Sequence, residues 1–290
     1  MEVYKLKDYF IKRKGKEECH LVIQKEVPFL SFSALERISF IRHGFSTRLG
    51  GVSEGIYQSM NFREDGIEKE ENVKENYRRM ADALGLCVEK FVRCSLIHGT
   101  QICEVTKKDY GKGVLFPTDL IGIDGMITEE KNLTLVTTYA DCVPLYFVDK
   151  KRKVIGLSHS GWKGTKDKIG AVTIQAMVKR FQCKPEDIIV CIGPSICKEC
   201  YEVGEDVKRE FENKFDSNQI KQIFLEKEEK KYQLDLWKAN EILLREAGIK
   251  KENLFITDIC TCCNSKLLFS HRATKGKRGN LAAFLAMVEE

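Results

Sequence analysis

"TTYADCVPLYFVDKKRKVIGLSHSGWKGT", residues 137–165, holds the pattern on which the fold turns. Two apolar runs, "VPLYFVD" (143–149) and "KVIGLS" (153–158), have the length and the β-branched and aromatic content of buried strands. They flank the basic run "KKRK", which suits a hairpin turn or a short crossover. Cys142 stands at the head of the first run. His159, one of only five histidines, stands 17 positions later among small residues at the end of the second. A third junction, "FVRCSLIHGTQI" (91–102), carries His98, 44 positions before Cys142. Three potential metal ligands, each beside a strand end, point to one site assembled from distant segments.

Working outward, "CHLVIQKE" (19–26) and "RISFIRHGFST" (37–47) read as strands, the second ending in the glycine-rich turn "RLGGVSEG". In "KEENVKENYRRMADALGL", Val73, Tyr77, Met80, Ala81 and Leu84 share one helical face, and Gly85 is a natural stop. "FVRCSLI" and "LTLVTTY" are further β-rich runs. Residues 166–182 suit a helix carrying Ile174, Met177, Val178 and Phe181 on one side. "DIIVCIG" (187–193) follows as a strand, then a helical stretch around 203–215 and a solvated loop at "EKEEKKY" (226–232). A helix over 235–247 shows Leu236, Ala239, Leu243 and Ala247 at helical spacing. "LFITDIC" (254–260) and "GNLAAFLAMV" (279–288) suit late strands, the last with a helix as the alternative. This irregular mixture of strands and helices implies an α+β (mixed α/β) fold. No internal repeat, low-complexity tract or Pro/Ser-rich linker divides the chain, so residues 1–290 are expected to form a single compact domain.

Hydrophobic residues make up 43% of the chain and charged residues 31%, as in ordinary globular proteins. Lys and Arg number 48 against 43 Asp and Glu, interspersed rather than in blocks. So small a bias gives no case for nucleic acid, and it suits a site for a phosphorylated or otherwise anionic small molecule. The N-terminus, "MEVYKLKDYFIKRKGKEECH", lacks the apolar stretch of a signal peptide, and no apolar run approaches membrane-spanning length. The twelve cysteines therefore read as thiols of a reducing cytoplasm, buried or metal-bound, rather than as a disulfide framework.

Two nitrogens and one sulfur, with a fourth position open, make the donor set of a catalytic zinc site. Composition also allows hydrogen-bonded structural histidines around a core cysteine. Gly99 and Gly161 beside the candidates let backbone approach a ligand closely. Asp141, adjacent to Cys142, could orient a ligand or handle a proton; it could equally cap a turn.

"HGFSTRLGGVSEGIYQSMNF" (43–62), "LIHGTQI", "TTYADCVPLYFVD", "GLSHSGWKGT", "CIGPSICKECYEVGEDV" and "DICTCCNSKLLFSHR…GKRGNLAAF" occur in this order. Together, from about residue 43 to the C-terminus, they resemble the YfiH-type family, long labelled "laccase domain" or "polyphenol oxidase". Its members are understood as zinc-dependent purine nucleoside phosphorylases with adenosine deaminase activity. The resemblance implies a layered, sandwich-like β core covered by helices, with zinc on His98, Cys142 and His159. It implies cleavage of adenosine, inosine, guanosine or methylthioadenosine with phosphate, and deamination of adenosine through a zinc-bound water. It also places Asp124, in "GIDGMIT", in a family motif as a candidate substrate contact. Where many members have arginine after "GW", this chain has Lys163, a cation without arginine's bidentate fork.

Phosphate needs cations and backbone N–H groups. Arg48 in "STRLGGVS", Lys163 and Arg272 in "SHR" are the candidates, whereas "KGKR" (275–278) reads as surface charge. Asp141 is the candidate proton shuttle, and Cys142 counts as catalytic as well as ligating. Oligomeric state, monomer or homodimer, is left open.

Three other readings compete. A copper-loaded polyphenol oxidase would need a second, histidine-rich cluster, and only His20, His43 and His271 remain to build it. Adventitious copper in the zinc site could still give weak oxidase activity. A zinc-stabilised non-catalytic binding module would use Cys197-x-x-Cys200 with Cys260-x-Cys262-Cys263, an atypical partner spacing. A metal-free hydrolase would use Cys142 as nucleophile. The H-x-E and P-C-x-x-C signature of cytidine deaminases and the P-loop are both absent.

Overall fold

A computed structural model describes residues 10–63 and 66–289. The first nine residues of the charged N-terminus, where no signal peptide is expected, lie outside this range. Two six-stranded sheets carry the molecule. The first has the spatial order β1 (Cys19–Gln24), β2 (Val27–Phe32), β3 (Ile41–Ser46), β15 (Leu281–Met287), β7 (Thr134–Tyr139) and β4 (Phe91–Arg93). The second runs β14 (Leu254–Ile256), β10 (Ile188–Ile192), β8 (Val143–Asp149), β9 (Val154–Ser160), β6 (Gly125–Thr128) and β5 (Ile102–Glu104). A small third sheet orders β11 (Glu202–Gly204), β13 (Lys231–Leu234) and β12 (Phe224–Glu226).

Alternation along the central strands shows how the layers stack. In β15, Leu281, Ala283 and Leu285 face the second sheet, and Ala282 and Phe284 face the opposite way. In β8, Tyr146 and Val148 meet the first sheet, while Val143, Leu145 and Phe147 face helices. Both strands are apolar on each side because both sides are covered, which is why they read as continuous hydrophobic runs. Helix α2 (Glu70–Leu84) packs Val73, Tyr77, Met80 and Leu84 onto the outer face of the first sheet. It ends at Gly85, whose φ of +66° is the left-handed cap that glycine adopts without cost. Helices α4 (Ile169–Phe181) and α7 (Leu236–Glu246) cover the second sheet, giving four layers, α/β/β/α. Shorter helices complete the set: α1 (Ser33–Glu36), α3 (Trp162–Lys166), α5 (Glu205–Glu212), α6 (Ser217–Ile223) and α8 (His271–Thr274). The fold is a mixed α/β single domain, as the sequence pattern implies. No helix among the described residues is long and apolar enough to cross a membrane.

Two local expectations shift in their bounds, and one open alternative is settled. The helix expected over 166–182 is α4, which begins three residues later, at Ile169; Lys166 instead closes the short α3, and Lys168, with φ of +64°, separates the two. Gly164 packs against the Gly99 carbonyl and Gly170 against Leu145 and Leu244, so the two segments answer to different neighbours and the chain bends between them. "GNLAAFLAMV" forms the strand β15, paired on both sides with β3 and β7. The "EKEEKKY" loop is the tip of a hairpin whose ends already belong to β12 and β13.

Candidate functional site

Strand register brings the three candidate ligands together. β8 and β9 form an antiparallel hairpin that pairs Val143 with Ser160 and Pro144 with His159. Cys142, one residue before Val143, therefore stands level with Gly161, next to His159. β6 lies on the other side of β9 with Gly125 opposite Ser158, and the His159 N–H donates to the Asp124 carbonyl at 2.7 Å. β5 runs parallel to β6 with Ile102 opposite Gly125, which carries the preceding 97–101 turn alongside Asp124. The spacings of 17 and 44 are thus a hairpin and a crossover seen in one dimension.

Ligand atoms of His98, Cys142 and His159 all lie within 4.8 Å of one another. His98 has a φ of +63°, unusual for a residue with a Cβ. The Asp124 carboxylate holds that turn by accepting the N–H groups of Ile97 at 3.1 Å, His98 at 2.9 Å and Gly99 at 2.8 Å. It also lies 3.1 Å from His159 Nδ1, which keeps the proton on that nitrogen and leaves Nε2 for a metal. Burial would push the Asp124 carboxyl up, but the His159 bond and the backbone N–H groups hold it down. Burial would likewise raise the Cys142 thiol, yet His159 and His98 bring it down to about 6. Burial would lower His159, and Cys142 and Asp124 instead raise it to about 9. A thiolate between two imidazoles is a ligand set poised for a cation. A Cβ on Gly161 would sit 2.9 Å from His98 Cδ2 and 3.2 Å from Cys142 Sγ, so a glycine is required where the ligands converge. These donors fit zinc, and His98 lines a cavity of about 380 Å³ together with Trp162, Lys163, Lys166 and the carboxylates of Asp167, Asp206 and Glu210.

The remaining expected residues are placed unevenly. Asp124, expected at the substrate, is fully buried behind the ligands with both oxygens engaged. Lys163 lines the ligand cavity with its ammonium 5.6 Å from the Trp162 ring centroid, and no carboxylate pairs with it among the described residues. Asp141, with φ of +84°, turns its carboxylate into the adjoining wall. Oδ1 accepts the Thr261 hydroxyl at 2.6 Å and Oδ2 the Arg272 backbone N–H at 2.7 Å. The Arg272 guanidinium lies over Tyr201 and donates to the Glu202 carbonyl. Arg48 is elsewhere, in a cavity of about 750 Å³ whose lining includes none of the three ligands. There it donates to the carbonyls of Gln58 and Ser265 and stacks over Phe269. Sequence reasoning missed Tyr139, whose ring centroid is 5.3 Å from that of His159, and Thr261, 120 positions from the aspartate it bonds. Tyr139 sits in the quoted "TTYADC"; nothing in the sequence signals Thr261.

A second group gathers elsewhere: the sulfurs of Cys197, Cys200, Cys260 and Cys263 also lie within 4.8 Å of one another. The atypical C-x-C-C reading resolves into C-x-x-C from Cys260 to Cys263. Cys262 is left out, turned toward Ser270 and Cys200. A laccase's histidine-rich cluster has no counterpart among the described residues, where His20, His43 and His271 belong to neither group.

Fold and site together define a layered α/β protein with a cluster of potential metal ligands beside strand ends of its second sheet. The family model described as multi-copper polyphenol oxidoreductase laccase matches residues 42–288, and the chain belongs to this laccase-like YfiH family. It is 35% identical over 248 residues to the purine nucleoside phosphorylase YlmD of Geobacillus stearothermophilus, covering 85% of this chain and 90% of that one. It is 32% identical to a purine nucleoside phosphorylase of Bacteroides thetaiotaomicron, covering 89% and 96% of the two chains. The crystal structure of Geobacillus stearothermophilus YlmD superposes with a TM-score of 0.86 at 32% identity, over 93% of this chain and 99% of that one. The hypothetical protein YfiH of Bacillus licheniformis gives 0.84 at 33%, over 89% and 96%.

Proposed function

We propose that this chain, acting as one domain over residues 1–290 in the cytoplasm, is a purine nucleoside phosphorylase that also deaminates adenosine. The observation that carries the reading is the convergence of His98, Cys142 and His159 on one another, with His98 at a cavity shared by Lys163, in a chain whose relatives bear the phosphorylase name. Substrates would be adenosine, inosine, guanosine or methylthioadenosine. Phosphorolysis breaks the bond from the sugar C1′ to the purine nitrogen, forms a C1′–O bond to phosphate, and delivers a proton to the departing base.

Lys163 supplies a charge for the phosphate at the cavity edge, as a point contact rather than a fork. Trp162 beside it offers an aromatic face to a base or sugar. Asp124 fixes the His159 tautomer and the left-handed His98 turn, so both imidazoles arrive oriented. Asp141 acts by positioning, through Thr261 and the Arg272 N–H, and so brings the Arg272 end of the wall toward the site. Zinc bound by His98, Cys142 and His159 supplies a Lewis acid and lowers the pKa of water, which the exchange of the adenosine 6-amino group for oxygen requires.

The test is adenosine turnover followed by liquid chromatography, with and without phosphate, for wild type and Cys142→Ala. Adenine and ribose-1-phosphate should form only with phosphate, inosine should form as well, and all should vanish in the variant. No turnover of adenosine, inosine or methylthioadenosine by zinc-loaded protein would overturn the reading.

A further inference from the structure

We propose that Cys197, Cys200, Cys260 and Cys263 bind a second, structural zinc ion, separate from the His98–Cys142–His159 site. Two C-x-x-C pairs supply the four sulfurs, one from the loop after β10 and one from the loop after β14. The sulfur separations fit one ion. Cys200 and Cys263 are 3.5 Å apart and Cys197 and Cys263 4.0 Å apart. A tetrahedral zinc with bonds of about 2.3 Å sets its sulfurs about 3.8 Å apart. A [4Fe–4S] cluster is excluded on size, since its cysteines must stand outside a cubane of iron and sulfide.

The backbone is arranged for thiolates. Cys260 Sγ accepts the N–H of Cys197 at 3.2 Å and the N–H of Cys263 at 3.4 Å, contacts that stabilise negative sulfur. Four thiolates around one cation leave a net negative charge, and Lys14 stands near enough to Cys197 and Cys263 to feel it, its ammonium 3.3 Å from Glu199. Two of the cysteines are buried and two half-buried, so the ion is enclosed by sulfur with no position open for a substrate.

The ion would lock two loops that are otherwise joined by few bonds: a bridge between Ser195 and Cys260, and the Thr261 N–H to the Ser195 carbonyl at 3.0 Å. The same loops reach the first site. Thr261 donates to Asp141, the neighbour of Cys142, and the Ile196 N–H donates to the Asp141 carbonyl at 3.0 Å. The zinc assignment stands without the proposed activity; only its bracing effect on turnover rests on that reading.

Native mass spectrometry and elemental analysis of the intact protein, purified with zinc, test this directly. Two zinc ions per chain are expected, one remaining in Cys200→Ser or Cys263→Ser and one remaining in Cys142→Ala. X-ray absorption at the zinc edge of Cys142→Ala should then show four sulfur neighbours at about 2.3 Å and no nitrogen. If the thiol variants fail to fold, the wild-type spectrum decides, with an average of more sulfur than nitrogen around zinc. One zinc per chain, unaffected by the Cys200 and Cys263 substitutions, would overturn the proposal. So would a mass showing a disulfide among these cysteines, or iron in place of zinc.

Discussion

The two ligand groups are built in opposite ways. Cys142 and His159 sit at strand ends of the second sheet, where ladders on both sides of β9 fix their relative positions, and His98 sits in the turn before β5 that the Asp124 carboxylate holds. His98 also lines a cavity. The four cysteines come from two loops that a handful of bonds tie to each other. A rigid frame can hold an open, strained ligand set, as the φ of +63° at His98 shows. The difference predicts a division of labour: chemistry at the first group, folding energy at the second.

The largest test of that division is a crossed pair of substitutions. Cys142→Ala should take phosphorolysis to background while the thermal midpoint moves little. Cys263→Ser should lower the midpoint by at least about 2 °C, the shift that ~1 kcal/mol produces in a large domain, with turnover falling less than in Cys142→Ala. Calorimetry and product assays on the same preparations would show it; a midpoint that falls with Cys142 and not with Cys263 breaks the comparison. Next in size is Asp124→Asn, which should weaken zinc binding about 10–100-fold by losing the carboxylate behind His159 and the 97–99 turn. Competition with a chelating dye measures it, and unchanged affinity would mean the turn is held by other means. Smaller again is Gly161→Ala. Its backbone φ of −74° tolerates any residue, so the added methyl acts only through its contacts with His98 and Cys142. Overpacking of about 1–3 kcal/mol should show as roughly tenfold weaker zinc retention in that assay, with a normal thermal midpoint for the zinc-free protein.

Much of the second sheet is legible in the sequence. "VPLYFVD" and "KVIGLS" flanking four basic residues made a hairpin readable, and the hairpin alone sets Cys142 beside His159. The α2 face was legible because five apolar positions repeat at helical spacing with a glycine at the end. The role of Asp124 was not, because a "DG" pair looks the same whether it turns the chain or sits buried behind a ligand. Only the parallel pairing of β5 with β6 brings residues 97–99 onto its carboxylate. Arg48 is a related case: a cation beside glycines suggests phosphate, and here the guanidinium donates to the carbonyls of Gln58 and Ser265, apart from the three ligands. The cysteine quartet was half visible. Its spacing looked atypical because Cys262 interrupts a pair that the backbone completes with Cys263.

Two buried histidines show how far neighbours, rather than burial, decide charge. His159 is raised to about 9, against its burial, by the Cys142 thiolate and Asp124. His43, on β3, has no such partners: burial first, and His20 second, push it down to about 3. Geometry agrees, since His43 Nε2 accepts the Phe32 N–H at 2.8 Å and must therefore be unprotonated. The folded protein thus binds fewer protons at His43 than the unfolded chain between the ordinary imidazole range near pH 6.5 and about pH 3. Stability from this group is complete above that window and is lost as pH falls through it, by up to about 1.4 kcal/mol per pH unit. His43→Gln keeps an acceptor near the Phe32 N–H and has nothing to titrate. Urea unfolding at pH 7, 6 and 5 should therefore give wild type a steeper loss than the variant, small at pH 6 and growing at pH 5. Parallel curves would mean that His43 is protonated in the fold, and that the contrast with His159 is one of degree rather than of sign.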